Sequence, residues 1–489
     1  MAEMNDPANG VRGQNAMVAT GHPLAARTAI DMLAAGGSAV DAAIAADAIL
    51  GVVEPMATGI GGDLLAMLVE PDGRGTSYNG TGRAPAALTA DILERLPNRR
   101  IPERHALSVT VPGAVRGWFD LHMRHGRLPM AQLLAPAVAL AAGGFEVLPI
   151  AAREWALFEP IIKGDAAAAA MYSSGNAPRA GERFANPELA KVLQAIAADG
   201  PDTFYLGDAA QRAAAANQAC GGVLSAGDFA AHRGDFGEPL RRSFRGLTML
   251  ECPPNTHGVA VLDALEELDA LPLERDDPGT TLAMVQAVGR ALAHAKETVA
   301  DPAGNTVCTV VVDSDGLAVT LMSSIFKRFG SGIGVPGHGF VLQNRGFGFS
   351  EPGHINGPGP SKRAYHTVVP AAALKDGRFH CGFGVVGGAM QPQGHVQMMV
   401  RLAAWNEKLQ AAIDAPRWRL EGAKQLAIEP GTPDRIARAL RDAGYTDPEG
   451  AGELGGRSDF GGAQFVLRDA DGSLLGGSDK RKDGLALGA

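Results

Sequence analysis

Apolar and polar positions along this chain follow two periods in turn. Residues 24–35 are rich in Ala and Leu and stop at Gly36-Gly37, the pattern of a helix closed by a glycine. Ser38 opens the next segment with Asp41 three residues on, a weak form of the capping box, and an Ala-rich helix follows to about Leu50. The turn-rich loop Gly59-Ile-Gly-Gly-Asp63 leads into an apolar run, LLAMLVE, that reads as a strand. ALSVTVP at 106–112 reads as a second strand, closed by Pro112-Gly113. Helices and polar turns alternate from 114 to 235, and Thr281 is placed to cap a long amphipathic helix that stops before Pro302.

From Thr306 the period changes. TVCTVVVD is β-branched, DSDG is a turn, and LAVTLMSS is a second strand. Short strands and glycine-rich loops continue to about Ala373. A helix over about 404–413 ends before Pro416, and 463–479 reads as a further hairpin. The pattern predicts a mixed α and β chain, helix-rich first and strand-rich last, with no repeat and no clear linker.

Composition removes whole classes of function. Of 489 residues, 44 are Lys or Arg and 53 Asp or Glu, a net charge of −9, and no basic block stands out. Nucleic acid and anionic membrane are therefore not expected partners. No apolar run reaches the ~18 residues of a membrane helix. The start, MAEMNDPANG, lacks the basic and apolar stretches of a secretory signal. Cys220, Cys252, Cys308 and Cys381 are scattered, against a disulfide framework or a zinc site. These features predict a soluble, cytoplasmic protein.

Motifs for the common chemistries are missing or out of context. Gly332-Ile-Gly-Val-Pro-Gly337 matches G-x-G-x-x-G, but Pro336 and the Gly-rich sequel open no helix, so it is not read as a dinucleotide site. There is no phosphate loop, no HExxH and no G-x-S-x-G, and the twelve His are dispersed. Asp313, Asp315 and Asp479 read as turn residues.

One hairpin carries candidate chemistry. If 306–313 and 317–324 pair around Ser314-Asp315-Gly316, Gly316 supplies the left-handed position of a three-residue loop. Thr306 then faces Ser324, with Cβ atoms about 4.5–5.5 Å apart. A Thr opening a strand after the turn-forming segment Asp301–Asn305 suits an N-terminal nucleophile. Its own α-amine, with a pKa near ~7.7–8.0, would be the base once the 305–306 bond is cut. Propensity alone favours the plainer reading, a β-branched residue starting a strand.

At this point the sequence resembles the gamma-glutamyltransferase family. The resemblance runs through 17–47, the GIGGD loop, SVTVPGAVRGW at 108–118 and the helix approaching Asp301-Pro302. It continues through FGSGI at 329–333, LQNRGFGFS at 342–350, GVVGGAMQPQGH at 384–395 and AIDAPRW at 412–418. The resemblance implies an α+β fold, the four-layer αββα sandwich of N-terminal nucleophile hydrolases. It implies a precursor cut between Asn305 and Thr306 into a large subunit, 1–305, and a small one, 306–489, intertwined in one domain. A homo-oligomer of that heterodimer is compatible with it. The nucleophile falls on Thr306, its hydroxyl partner on Ser324 and the oxyanion hole on the amides of Gly387 and Gly388. No metal or organic cofactor is implied.

The departures bear on substrate. An Arg that grips the α-carboxylate in glutathione-cleaving members is Thr81 here, an Asn beside the nucleophile is Phe326, and an acidic residue before F-S is Gly348. A Ser-Ser pair is His366-Thr367, and the residue after the nucleophile is Val307. The acyl-transfer machinery is thus retained and the γ-glutamyl clamp is not, which resembles the branch containing oxamate amidohydrolase and glutathione hydrolase-like proteins. Arg83, Arg345, Tyr365 and His366 are candidates for a different acid-binding pocket; alternatively the two Arg hold structural carboxylates and the other two pack. The expected activity is acyl-enzyme hydrolysis of a small carboxylate-bearing amide. The alternatives are a true gamma-glutamyltransferase or glutathione hydrolase, and an inert relative that is not processed.

Overall fold

Helix starts and stops follow local chemistry closely. The computed structural model describes residues 6–172, 176–299, 305–448 and 460–489. The helix Pro23–Ala34 begins with Pro at its first position and His22 accepting from Leu24 N at 3.2 Å. Ser38 and Asp41 form a full capping box: Ser38 Oγ accepts from Asp41 N at 3.2 Å and Asp41 Oδ2 from Ser38 N at 2.9 Å. The helix it opens, Ala39–Val53, is buried around nearly its whole circumference, as its lack of a polar face requires.

Two seven-stranded sheets form the centre. The first runs, in spatial order, Val11–Gly13, Leu474–Ser478, Gly462–Arg468, Arg378–Val386, Ala371–Lys375, Leu247–Glu251 and Leu240–Phe244. The second runs Leu485–Gly488, Met17–Thr20, Asn305–Val312, Ala318–Phe326, Asp63–Val69, Gly75–Asn79 and Asp235–Gly237. Neighbouring strands are antiparallel. Met17, Leu65, Cys308 and Met322 of the second sheet pack against Leu250, Ala372 and Val466 of the first, so the sheets meet face to face. The outer face of the second sheet is covered by Ala39–Val53 and the helices around it, and that of the first by Gly258–Asp269, Pro278–Thr298 and Met390–Met399. This is the expected αββα sandwich.

The hairpin register is as expected from Val307↔Ser323 to Val312↔Ala318, with Gly316 at φ +89°. It then slips: Asn305 pairs with Phe326, so the ladder is irregular at Thr306 and Thr306 is not in register with Ser324. Three other expectations change. ALSVTVP is not a strand: Ala106–Ser108 is a 3₁₀ turn. Beyond it, Val111 N donates to Arg83 O and Val111 O accepts from Gln343 Nε2, which leaves no ladder partner. The cap of Pro278–Thr298 is Asp277, accepting from Thr280 N at 2.7 Å, one turn before Thr281. The helix expected at 404–413 is a π turn, Val400–Ala404, followed by the α-helix Leu409–Asp414. The turn-forming segment 301–304 lies outside the described residues.

Candidate active site

Thr306 sits at the head of a central strand, fully buried. Its Oγ1 accepts a hydrogen bond from Gln391 Nε2 at 2.9 Å. The amide orientation of Gln391 is fixed from the other side, because its Oε1 accepts from Val369 N at 3.0 Å. Gln391 lies in the first turn of the helix Met390–Met399, every residue of which is buried. Side chains clamp that helix in place. His395 Nε2 accepts from Val385 N at 3.2 Å, so its Nδ1 carries the proton donated to Glu251 Oε1 at 2.9 Å. Gln393 and Gln397 each bond both the N–H and the C=O of a strand residue, Leu420 and Trp418 respectively. Gln393 and Gln397 thus fix the helix against the strand Trp418–Leu420.

Gly387 and Gly388 join the strand Arg378–Val386 to this helix, with φ of +120° and +63°. Both conformations suit glycine, and a Cβ on Gly387 would stand 3.1 Å from Gly461 Cα and 3.2 Å from Met390 Cβ. The Gly387 carbonyl accepts from Met390 N at 3.1 Å, so the trans peptide turns the Gly388 N–H away from the helix. Among the described residues neither glycine amide has an acceptor. Two free donors at a helix N-terminus suit a developing oxyanion.

A second cluster centres on Asp63, across the sheet from Ser324. Asp63 Oδ1 accepts from Gly82 N at 2.7 Å and Gln343 Nε2 at 2.8 Å. Its Oδ2 accepts from His366 Nε2 at 3.2 Å and lies 3.6 Å from Arg345 Nε. All three side chains are fully buried. Burial alone would raise the Asp63 carboxyl, but His366, Arg345 and Gln343 outweigh it and hold it below the ordinary range. His366 Nδ1 accepts from Val368 N at 3.2 Å, which places the ring proton on Nε2. Burial, aided by Arg345, lowers His366 to about 4, so the ring is neutral near pH 7 and the cation facing Asp63 is Arg345. Burial lowers Arg345 to about 10, against the pull of Asp63, so it stays charged.

The Arg345 fork turns towards the strand paired with the one that carries Thr306: Nη2 donates to Ser324 Oγ at 3.1 Å and Nη1 to Thr367 Oγ1 at 3.4 Å. Its plane lies over the Phe326 ring at 4.1 Å. Phe326, where the resembled family has Asn, thus carries the face of this cation. Ser324 Oγ also accepts from Phe326 N at 2.9 Å.

The structure brings Arg345, His366 and Ser324 together around Asp63. Tyr365 is buried next to them, its ring edge-on to His257 at 5.3 Å. The Arg83 side chain turns elsewhere, donating to Ser361 O at 3.3 Å with Asp235 at 3.9 Å, on the protein surface. Thr81, in the place of the clamping Arg, is buried. Asp63 and Gln391 escape notice in the sequence, although both lie within the resembling segments; their partners are far along the chain. Among the described residues no group of His, Cys, Asp and Glu could hold a metal ion, and no helix is long and apolar enough to cross a membrane.

Two facing antiparallel sheets between helical layers are the architecture of N-terminal nucleophile hydrolases. The chain belongs to the gamma-glutamyltranspeptidase family, whose sequence model, described as Gamma-glutamyltranspeptidase, matches residues 25–307 and 294–489. It is 32% identical to the glutathione hydrolase-like YwrD proenzyme of Bacillus subtilis, over 98% of this chain and 99% of the relative. It is 33% identical to the oxamate amidohydrolase proenzyme of Klebsiella pneumoniae, over 96% and 98%. The crystal structure of cephalosporin acylase from Bacillus halodurans superposes with a TM-score of 0.92 at 34% identity, covering 98% of this chain and 97% of that one. The chain is accordingly an amidohydrolase or acyltransferase of the N-terminal nucleophile type.

Proposed function

We propose that the chain cuts itself between Asn305 and Thr306 into subunits 1–305 and 306–489. The freed Thr306 then hydrolyses a small amide bearing a carboxylate, of the oxamate type, through an acyl-enzyme. In the acylation step the Thr306 Oγ1–carbonyl bond forms, and the hydroxyl proton passes to the α-amine and on to the departing nitrogen as the C–N bond breaks. Water then displaces Oγ1 and returns the proton. Gly387 and Gly388 amides receive the oxyanion, and Ser324 orients the hydroxyl side of the site. Relatives named as proenzymes support the self-cleavage.

The observation that carries the substrate class is Arg345. A buried guanidinium, neutralised on one edge by Asp63, offers its other edge beside Ser324 on the strand next to Thr306. A carboxylate there gains charge-assisted bonds worth about 1.5–3 kcal/mol. Thr81 and Gly348 argue against the γ-glutamyl alternative. Purified wild-type protein should run as two bands on a denaturing gel and Thr306→Ala as one. Oxamate should be turned over faster than a γ-glutamyl anilide; fast anilide cleavage would favour the alternative, and a single wild-type band would favour the inert reading.

A further inference from the structure

We propose that Gln391 is a catalytic residue, the hydrogen-bond donor that holds and stabilises the Thr306 oxygen through both self-cleavage and turnover. The inference rests on Thr306 being the nucleophile. Three observations carry it. The contact is direct, Gln391 Nε2 to Thr306 Oγ1 at 2.9 Å between two fully buried side chains. The amide cannot turn over without losing the Val369 N–H bond to Oε1, so Nε2 is fixed as the donor and Oγ1 as the acceptor. And the helix carrying Gln391 is tied down by His395, Gln393 and Gln397, so the donor is preorganised.

An acceptor role for Oγ1 has two consequences. Its own proton must point away from Gln391, leaving it free for whichever base removes it. The bond also strengthens as negative charge builds on Oγ1, so it favours the transition states over the resting hydroxyl. In self-cleavage, Oγ1 bonds to the Asn305 carbonyl carbon, the 305–306 C–N bond breaks, and the hydroxyl proton moves to the freed nitrogen. Water then breaks the resulting ester, and Oγ1 leaves as an alkoxide that takes up a proton. Deacylation in turnover repeats this second half. Oγ1 is the leaving atom each time, and Gln391 is the donor facing it.

The test uses the full chain and needs no identified substrate, because self-cleavage is its own reaction. Gln391→Ala should slow conversion of the newly made 489-residue chain into its two fragments by about 10²–10³-fold, the usual cost of one such donor. Gln391→Glu separates chemistry from packing. It keeps the shape and the acceptor for Val369 N, but only its protonated form can donate to Oγ1. Relative to wild type at the same pH, Gln391→Glu should cleave far better at pH 5 than at pH 8. Taking that ratio cancels titration of the other nearby groups: Glu54 and Lys482 by Thr306, Asp63, Arg345 and His366 beyond Ser324, and Glu251 and His395 behind the helix. Processing of Gln391→Ala within threefold of wild type would overturn the proposal. So would a Gln391→Glu defect equal at both pH values, which is what a structural role predicts. A wild-type chain that never cleaves would instead overturn the nucleophile assignment.

Discussion

Replacing Asp63 by Asn asks whether the buried charge of Arg345 depends on this one carboxylate. Asn can keep an oxygen towards Gly82 N and Gln343 Nε2, but its NH₂ must then face His366 Nε2–H and Arg345 Nε–H, both donors. Turning the amide over sets its NH₂ against the Gly82 and Gln343 donors instead. His366 cannot relieve the conflict by changing tautomer, since a proton on Nδ1 would oppose Val368 N–H at 3.2 Å. The variant therefore leaves a fully buried guanidinium without its counter-charge. Breaking a buried ion pair from one side costs about 3–5 kcal/mol, a large fraction of a typical stability of ~5–15 kcal/mol. The loss is measured by urea unfolding in the Thr306→Ala background, where the protein is one polypeptide, with fluorescence of the buried Trp118 and Trp155 as signal. Adding Arg345→Met removes the stranded cation, so the double variant should be more stable than Asp63→Asn alone. If the two changes simply add, within about 0.5 kcal/mol, the charges are not coupled and the account of this cluster is wrong.

Two further outcomes follow from the same surroundings. Burial pushes the Glu54 carboxyl up to about 7, against Lys482 and Arg328 and together with Glu154 and Asp483. The folded state thus holds this proton more tightly than the unfolded chain does, and stability falls as pH rises from the ordinary Glu range to about 7. Glu54→Gln should recover about 3 kcal/mol at pH 8 and little at pH 4.5 in thermal unfolding; equal shifts at the two pH values would refute it. Gly387→Ala forces a side chain to φ +120° and against Gly461 and Met390. It should cost about 1–3 kcal/mol of stability and, by displacing a donor amide, about 10²–10³ in turnover of the oxamate probe; an unchanged rate would remove Gly387 from the oxyanion site.

What could be read from the sequence was mostly what neighbours in sequence decide. The Ser38–Asp41 box, the glycine at 316 and the strand pair around it depend on residues within a few positions, and each appears as expected. The helix cap is Asp277 rather than Thr281 because Pro278, preorganised for the first helical position, starts the helix one turn earlier. ALSVTVP forms no strand for a different reason. It has strand composition, yet its backbone partners are a loop around Arg83 and the side chain of Gln343, more than two hundred residues away. Composition reports a preference for extended backbone; only tertiary context supplies the ladder. Asp479 makes the same point: it stands in a turn-like stretch, but it is buried and pairs with Arg417 and Arg481.

The site divides along the same line, and for a chemical reason. Thr306 is visible as a hydroxyl that opens a strand after a turn-forming segment, and Gly387 and Gly388 through the family resemblance, which the positive φ of both suits. The groups that tune them are interchangeable in type. A donor to Oγ1 could come from many side chains, and here it is a Gln 85 residues on. A counter-charge for Arg345 could come from any carboxylate, and here it is an Asp at the edge of a glycine loop, 282 positions before it. Their identity is set by where the sandwich brings chain segments together, which no local pattern encodes. Substrate choice in this enzyme should therefore be most sensitive to exchanges around Arg345, Asp63 and Phe326. The cutting chemistry should track Thr306, Gln391 and the two glycines, so that altered specificity and lost processing arise from separate sets of substitutions.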